Sequence, residues 1–500
     1  MGIKRYFATA DNTITNAFKS DLTTKATGSN MGAADILEIF SIYGQTSSSA
    51  GISSEETRAI INFDISNISA ERAAGDIPAS GSIEFYLKLY NASHGKTLPV
   101  DYNIQIAALT KSWDEGYGLD MDEYTDPGTG SGGFGSTWVS ASTGPWENAG
   151  GDITTDVTYQ YNYSVGLDGE TDIEVDVSNL VEDWISGEAT LSGSNGFIVR
   201  ISAADAARQK SYYTKQFFAR GSEFFFKRPV LEARWDSALK DNSSNFCLSS
   251  SLGGVDENLN TLYLYNYGRG RKRNIPSIGT GPILLSVYSG SSDNTTPSGS
   301  ALGLPAGGGV ATAGDTNVTG AWVSTGVYSA SFAYTGSAIT PFFPVWHSGS
   351  IQYVTGCAID VTDCFDGDCS DLYPIYFTKI TNLQDSYQKT EKARFRLYTR
   401  PKNWYPTIYT VASTAIENSI IEDAYFKIER LADNLDVISY GTGTMEHTLL
   451  SYDKNGNYFD LDMSMLQDDF TYGIKFAFKY DDKYIEQKGT FKFRIERETE

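Results

Sequence analysis

The chain has 500 residues, 40% hydrophobic and 20% charged, a balance that excludes intrinsic disorder and leaves room for about three domains. Its formal net charge of −23 opposes sequence-independent binding to nucleic acid, whose phosphates it would repel. No run of about 18 apolar residues occurs, so no membrane-spanning helix is expected, and the residues after Met1 lack the apolar core of a Sec signal.

Tyr (32) and Phe (26) far outnumber Met (6), and 48 Gly accompany many Ser and Thr, a composition of strands joined by turns. The expected fold class is all-β, as tandem antiparallel β-sandwiches. In residues 1–236, period-two alternation predicts strands at Ile60–Ile65, Ile83–Tyr90 and Ile104–Leu109. The stretch Gly116–Gly151 then predicts a long ordered loop, and such loops on rigid sandwiches often carry function. Asp114, Glu115, Asp120 and Asp122, with Glu123 and Asp126 close behind, crowd hard oxygen donors there and form a candidate Ca²⁺ site. Trp138 and Trp146, near Tyr117 and Tyr124, form a candidate sugar-stacking platform; the same rings would equally anchor the loop to its sandwich. Val177, Leu180, Val181 and Trp184, at three- and four-residue spacing, predict a short helix capped by Ser178 and closed by Gly187. Gly196–Ile201 and Phe224–Trp235 complete the sandwich.

Four segments of this region occur in a telling order: Thr-Arg-Ala-Ile-Ile-Asn-Phe-Asp (57–64), Ser-Trp-Asp-Glu-Gly-Tyr-Gly-Leu-Asp (112–120), Trp-Ile-Ser-Gly (184–187) and Arg-Pro-Val-Leu-Glu-Ala-Arg-Trp (228–235). Together they resemble the DNRLRE-type, carbohydrate-binding-module-like β-sandwich domain. That domain occurs in polysaccharide-active secreted proteins and in virion proteins of marine tailed phages. The resemblance implies a jelly-roll-like first domain with a structural or binding role. The chain departs from it in the expanded 116–151 loop, which weakens any inherited sugar binding.

Residues 237–395 predict a second, loop-rich sandwich of immunoglobulin-like or jelly-roll type, with strands at Thr261–Tyr267 and within 281–288. Gly268–Arg273 is the sole basic run, and Arg269, Arg271, Lys272 and Arg273 form a candidate docking surface for an acidic neighbour, with an exposed loop that has no partner as the alternative and nucleic acid opposed by the acidic remainder of the chain. Cys247 stands apart, while Cys357, Cys364 and Cys369 are spaced too widely for CxxC zinc pairs. Free thiols are expected, with a Cys364–Cys369 bridge as the alternative. Asp360, Asp363, Asp366, Asp368 and Asp371 make a second, weaker cation candidate.

Residues 396–500 predict an immunoglobulin-like module. Tyr472, Ile474, Phe476, Phe478 and Tyr480 share one strand face, a turn follows at Asp481–Asp482, and Phe491, Phe493 and Ile495 line a partner strand. Asp453–Asn457 begins like an EF-hand loop, but Tyr458 occupies its glycine position and Ser464 its glutamate position, so a hairpin turn is expected.

The three histidines, His94, His347 and His447, fall in three predicted domains, which leaves no Ser–His–Asp triad or histidine zinc site within one domain. No enzymatic activity and no cofactor beyond the candidate Ca²⁺ are expected. The reading is a structural protein of a tailed-phage virion, a head, neck or tail accessory assembled in the host cytoplasm. It would dock to other virion proteins, as a symmetric homo-oligomer, with neither nucleic acid nor membrane as partner. The alternative is an adhesin module that binds cell-surface polysaccharide or a receptor.

Overall fold

The computed structural model describes residues 2–48, 51–94, 101–121, 135–165, 171–188, 191, 193–290, 298–336, 341–362, 375–402, 418–443, 445–480 and 483–497. The all-β expectation holds: tandem, predominantly antiparallel sheets build the chain, in two compact units spanning residues 2–235 and 236–500.

In the first unit the strands are β1 (Ile3–Phe7), β2 (Ala10–Thr15), β3 (Ile36–Ser48), β4 (Gly51–Asn62), β5 (Glu84–Leu89), β6 (Asn103–Ala108), β7 (Gln160–Ser164), β8 (Ile173–Asp176), β9 (Phe197–Ile201), β10 (Tyr212–Phe218) and β11 (Val230–Arg234). One sheet runs β1-β11-β5-β8; the other runs β10-β3-β4-β9-β6-β7, with β2 also paired to β4. Between them lies a core that includes Ile39, Ile61, Phe85, Leu87, Ile106, Phe197, Val199 and Leu231. Their alternate spacing is the sequence signal, because successive strand side chains point to opposite faces.

Two helices close this unit. The sequence reading extends a strand to Ile65, but β4 stops at Asn62, and helix α1 (Ile65–Ala74) begins there because the Asp64 side chain accepts from Asn67 N–H. Helix α2 (Ser178–Ser186) ends at Gly187 as expected, with φ +75°. Ser178 is its first residue rather than its cap; the hydroxyl donates to Asp176 and accepts from Phe85 N–H. Leu180, Val181 and Trp184 face the core, with Trp184 edge-on to Phe197 at 5.0 Å.

On the outer face of the smaller sheet, charges cover what apolar residues do not. Glu232 pairs with Arg5 and Arg234, each at 2.6 Å, and lies 3.6 Å from Lys88, while Glu174 takes Arg234 at 2.8 Å and Lys88 at 3.2 Å. Burial alone would raise the Glu232 pKa, but Arg5, Lys88 and Arg234 outweigh it and hold the carboxyl well below its usual range.

The second unit holds two modules. The earlier contains β12 (Phe246–Cys247), β13 (Asn260–Tyr265), β14 (Tyr267–Gly268), β15 (Arg271–Lys272), β16 (Ile283–Gly290), β17 (Ser298–Ala301), β18 (Val318–Ser324), β19 (Val327–Phe332), β20 (Phe343–Ser348), β21 (Ile351–Thr355) and β22 (Val361–Thr362). Its main sheet runs β13-β19-β18-β16-β20-β21, and Phe246, Phe332 and Phe342 cluster in its core. The later module contains β23 (Tyr376–Ile380), β24 (Ser386–Gln388), β25 (Lys392–Pro401), β26 (Ala424–Arg430), β27 (Leu435–Ile438), β28 (Ser451–Asp453), β29 (Gly456–Asp462), β30 (Thr471–Tyr480), β31 (Lys483–Glu486) and β32 (Phe491–Glu496). Its sheets run β23-β25-β29-β28 and β24-β32-β30-β26-β27.

The expected boundary at 395/396 falls inside β25, whose alternating Phe395, Leu397 and Thr399 are buried and whose partners are β23 and β29. The later module therefore begins near 376. The segment 239–242 stitches the two modules into one unit: Asp241 N–H donates to Tyr452 O at 3.1 Å, Tyr452 N–H to Leu239 O at 3.0 Å, and Asn242 exchanges bonds with Thr261. In the later module Tyr472, Ile474, Phe476, Phe478, Phe493 and Ile495 are buried as expected, while Tyr480 is partly exposed. The expected turn at Asp481–Asp482 lies outside the described residues. Asp453 faces Gly456 across the β28–β29 turn, so this segment is the expected hairpin.

Glu232→Ala would remove the carboxylate that Arg5, Arg234 and Lys88 share and lower the stability of the first unit by about 3–5 kcal/mol in urea unfolding. Because the folded pKa is depressed, the stabilisation is present above about pH 4.3 and is lost as pH falls toward the folded value; the variant should lack that acid dependence.

Candidate functional site

The larger sheet of the first unit is apolar on both faces. Ala59, Val199 and Ile106 are register neighbours facing the inter-sheet core, whereas Ile60, Ile198 and Ala107, one residue along, face the opposite way. That second face is sealed by residues of the segments 109–121 and 135–153. Trp113, Trp138, Ala141 and Trp146 pack on Ile14, Ile60, Leu109 and Ile198. Each indole N–H that is used finds a carbonyl: Trp113 donates to Asn195 O at 2.9 Å and Trp146 to Thr137 O at 2.8 Å. Arg58 lies over the Trp138 ring at 4.7 Å and donates to Gly150 O. A Cβ at Gly150 would come within 2.8 Å of that ring, so the turn needs glycine for space as well as for its φ of +92°.

Trp138 and Trp146 therefore form no sugar-stacking platform. Both are buried, and the driving force is the apolar sheet face that would otherwise meet water. Tyr117 is half exposed, and Tyr124 lies outside the described residues.

Of the candidate Ca²⁺ ligands, Glu115 is redirected, while Asp114 and Asp120 are exposed. Glu115 forms an ion pair with Arg220 through both oxygens and accepts Asp11 N–H at 2.8 Å. Around it, Asn12 and Asn30 each donate to Ser136 O at 2.8 Å, and Asn30 accepts from Gly118 N–H at 2.8 Å. The loop is thus pinned to β2 by buried amides. Asp122, Glu123 and Asp126 lie outside the described residues, and among those described no group of three or more metal-ligating side chains converges. Asp11, which accepts Arg220 N–H, is raised to about 7 by burial, with the Glu115 charge adding to the effect. Sequence reasoning missed Asp11, Asn12, Asn30 and Arg220, because their partners stand about 100 residues or more away along the chain.

The basic run does form a discrete surface feature. β14 and β15 make a hairpin whose two-residue turn is Arg269–Gly270, at φ +53° and +77°. Asn or Gly adopts the first position readily, whereas Arg is held there at about 1 kcal/mol. Arg269, Arg271 and Arg273 are exposed. Beside the hairpin, Asn274 accepts from Trp322 Nε1–H at 3.1 Å and from Gly326 N–H at 2.7 Å, which sets Trp322, 36% exposed, and Tyr267, 58% exposed, near the arginines. Lys272 is different. It is half-buried over the Tyr265 ring at 5.6 Å, and burial and the Arg394 charge lower its pKa. It also lines a small cleft with Arg394, Tyr458 and Asp460.

A cavity of about 290 Å³ in the second unit is lined by Asp241, Tyr263, Tyr265, Trp346, Cys357 and Asn455 among others. Burial pushes Asp241 up to about 6 there. The structure also pairs Ser286 with His347, Oγ to Nε2 at 2.8 Å, a contact between neighbouring strands that spacing did not reveal. Ser286 is buried in mid-strand, and His347 Nδ1 faces Gly349 O rather than a carboxylate, so the pair lacks the third member of a triad. Cys247 is disulfide-bonded, which corrects the expectation of free thiols; Cys357 is free and exposed. The Cys364–Cys369 alternative and Asp363, Asp366, Asp368 and Asp371 lie outside the described residues.

No family model matches this chain, and no curated protein does. Among solved structures it is similar to Escherichia coli alpha-2-macroglobulin in its native conformation, at 10% identity and a TM-score of 0.15, over 87% of this chain and 21% of that one. The trypsin-activated form from the same organism gives 8% identity and a TM-score of 0.16, over 88% and 24%. The chain thus spans about a fifth to a quarter of those chains' length, and so shallow a likeness carries no argument.

Trp138→Ala should lower the stability of the first unit by about 3–5 kcal/mol in chemical unfolding. Unchanged stability with selective loss of polysaccharide retention would instead restore the platform. Asp11 has a raised folded pKa, so its contribution is fully present below about pH 4 and declines as pH rises through about 7. Urea unfolding between about pH 4 and pH 8 should show that decline, and Asp11→Asn should flatten it.

Proposed function

We propose that this chain is a non-enzymatic structural protein of a tailed-phage virion, which docks to other virion proteins and presents β-sandwich modules. The DNRLRE-type resemblance of the first unit supports this reading. The observation that carries it is where the functional-looking groups of the two units are engaged. Trp138, Trp146 and Glu115 hold the loop of the first unit in place, while the exposed arginines of the β14–β15 hairpin face outward. Such a protein acts through surfaces, and many copies in a symmetric assembly supply avidity without one strong site. The disulfide at Cys247 suits a protein that works outside the cell, as a released particle does.

The second reading, a polysaccharide- or receptor-binding adhesin, now rests on exposed Tyr117 and Phe224, each 50% accessible, rather than on the buried tryptophans.

Mass spectrometry of particles purified through a density gradient should find the chain in fixed stoichiometry with the other virion proteins. Its absence from such particles would sink the structural reading. Saturable binding to a cell-surface polysaccharide, lost in Tyr117→Ala with the fold intact, would favour the adhesin.

A further inference from the structure

The arginines at 269, 271 and 273 differ from most of their kind in this protein. Arg5, Arg72, Arg220, Arg234, Arg394 and Arg396 each hold a carboxylate. Among the described residues, the three hairpin arginines hold none, although the chain carries 62 acidic residues against 39 basic ones. Like charges fixed so close together repel. The turn adds a backbone strain at Arg269 that an Asn would avoid. The repulsion is relieved when an anionic surface lies against the hairpin.

The first unit presents a surface of the opposite kind. Asp156, Asp176 and Glu188 are exposed around helix α2, and Asp183 is half-buried beside them. Asp183 accepts from Tyr159 Oη at 2.8 Å, Tyr159 N–H donates to Asp156 O, and Glu188 N–H donates to Asp183 O at 2.9 Å, while Asp176 lies at the helix start, where it accepts from Ser178 N–H. Among the described residues none of the four has a cationic partner, although Glu182 on the same helix holds Arg72 at 2.5 Å.

We infer that the Arg269–Arg273 hairpin is a self-assembly element that docks on the acidic rim of helix α2 in a second copy of this chain. The contact joins different patches on the two copies, so each copy offers both a hairpin and a rim. Tyr267 and Trp322 flank the arginines and supply apolar area and stacking at its centre. The inference rests on the reading of the chain as a building block of a particle and names the partner of that block.

Sedimentation velocity of the full chain tests it. Association should appear at about 50 mM salt and weaken at least about tenfold by about 500 mM, since exposed ion pairs are screened. The triple variant Arg269→Glu, Arg271→Glu, Arg273→Glu should be monomeric with an unchanged circular dichroism spectrum. Asp176→Lys with Glu188→Lys should also be monomeric, and mixing the two variants should restore association. A wild-type chain that stays monomeric at low salt overturns the inference. So does association indifferent to the triple variant, or a hairpin whose loss abolishes retention on DNA while self-association persists. A chain absent from particles that still associates through the hairpin fails the virion reading alone; one present in particles with association indifferent to the hairpin fails this inference alone.

Discussion

The second face of the larger sheet in the first unit governs most of what surrounds it. Ile60, Ile198 and Ala107 form a row that points away from the inter-sheet core, and an apolar row of that kind cannot be left to water. Covering it takes three tryptophans and other residues of the segments 109–121 and 135–153. Once those segments lie across the sheet, their backbone carbonyls and amides need partners, because a buried polar group without one is costly. Asn12 and Asn30 are buried for that purpose and donate to Ser136 O and Glu115 O. The loop is therefore structural for the same reason that it is long.

Charge follows a parallel logic. The smaller sheet faces solvent with a ladder of paired charges around Glu232, in which each buried carboxylate oxygen meets a guanidinium or ammonium group. The later module repeats the device on its own sheet with Arg394 on Asp460 and Arg396 on Asp453. Against that background the hairpin arginines differ from most arginines of the chain by having no carboxylate partner among the described residues.

The strands were legible because their signal is local. Phe85, Leu87 and Leu89 alternate with polar neighbours, as do Ile474, Phe476 and Phe478, and a period of two needs no knowledge of the partner strand. Gly187 was legible as a helix stop for the same reason, since positive φ at a helix end is a property of one residue. The lid was only half legible. Ile60–Ile61 and Ile198–Val199 are consecutive buried residues, the mark of a strand covered on both faces, but the segment that covers them is not adjacent in sequence. The β25 boundary was lost because an alternating run reads alike on either side of a domain limit.

By itself the sequence determined the all-β class, the strand faces, the acidic surface and the isolated basic run, because composition and short-range periodicity act through nearest neighbours. Only the tertiary structure decided which polar and aromatic residues remained free to meet a partner. Glu115 was claimed by Arg220, Trp138 and Trp146 by the sheet, and Lys272 by the surface around Tyr265 and Arg394. Those outcomes depend on residues far apart in the chain coming within a few ångströms, where desolvation and Coulomb energy are settled, and spacing along the sequence carries no record of that distance.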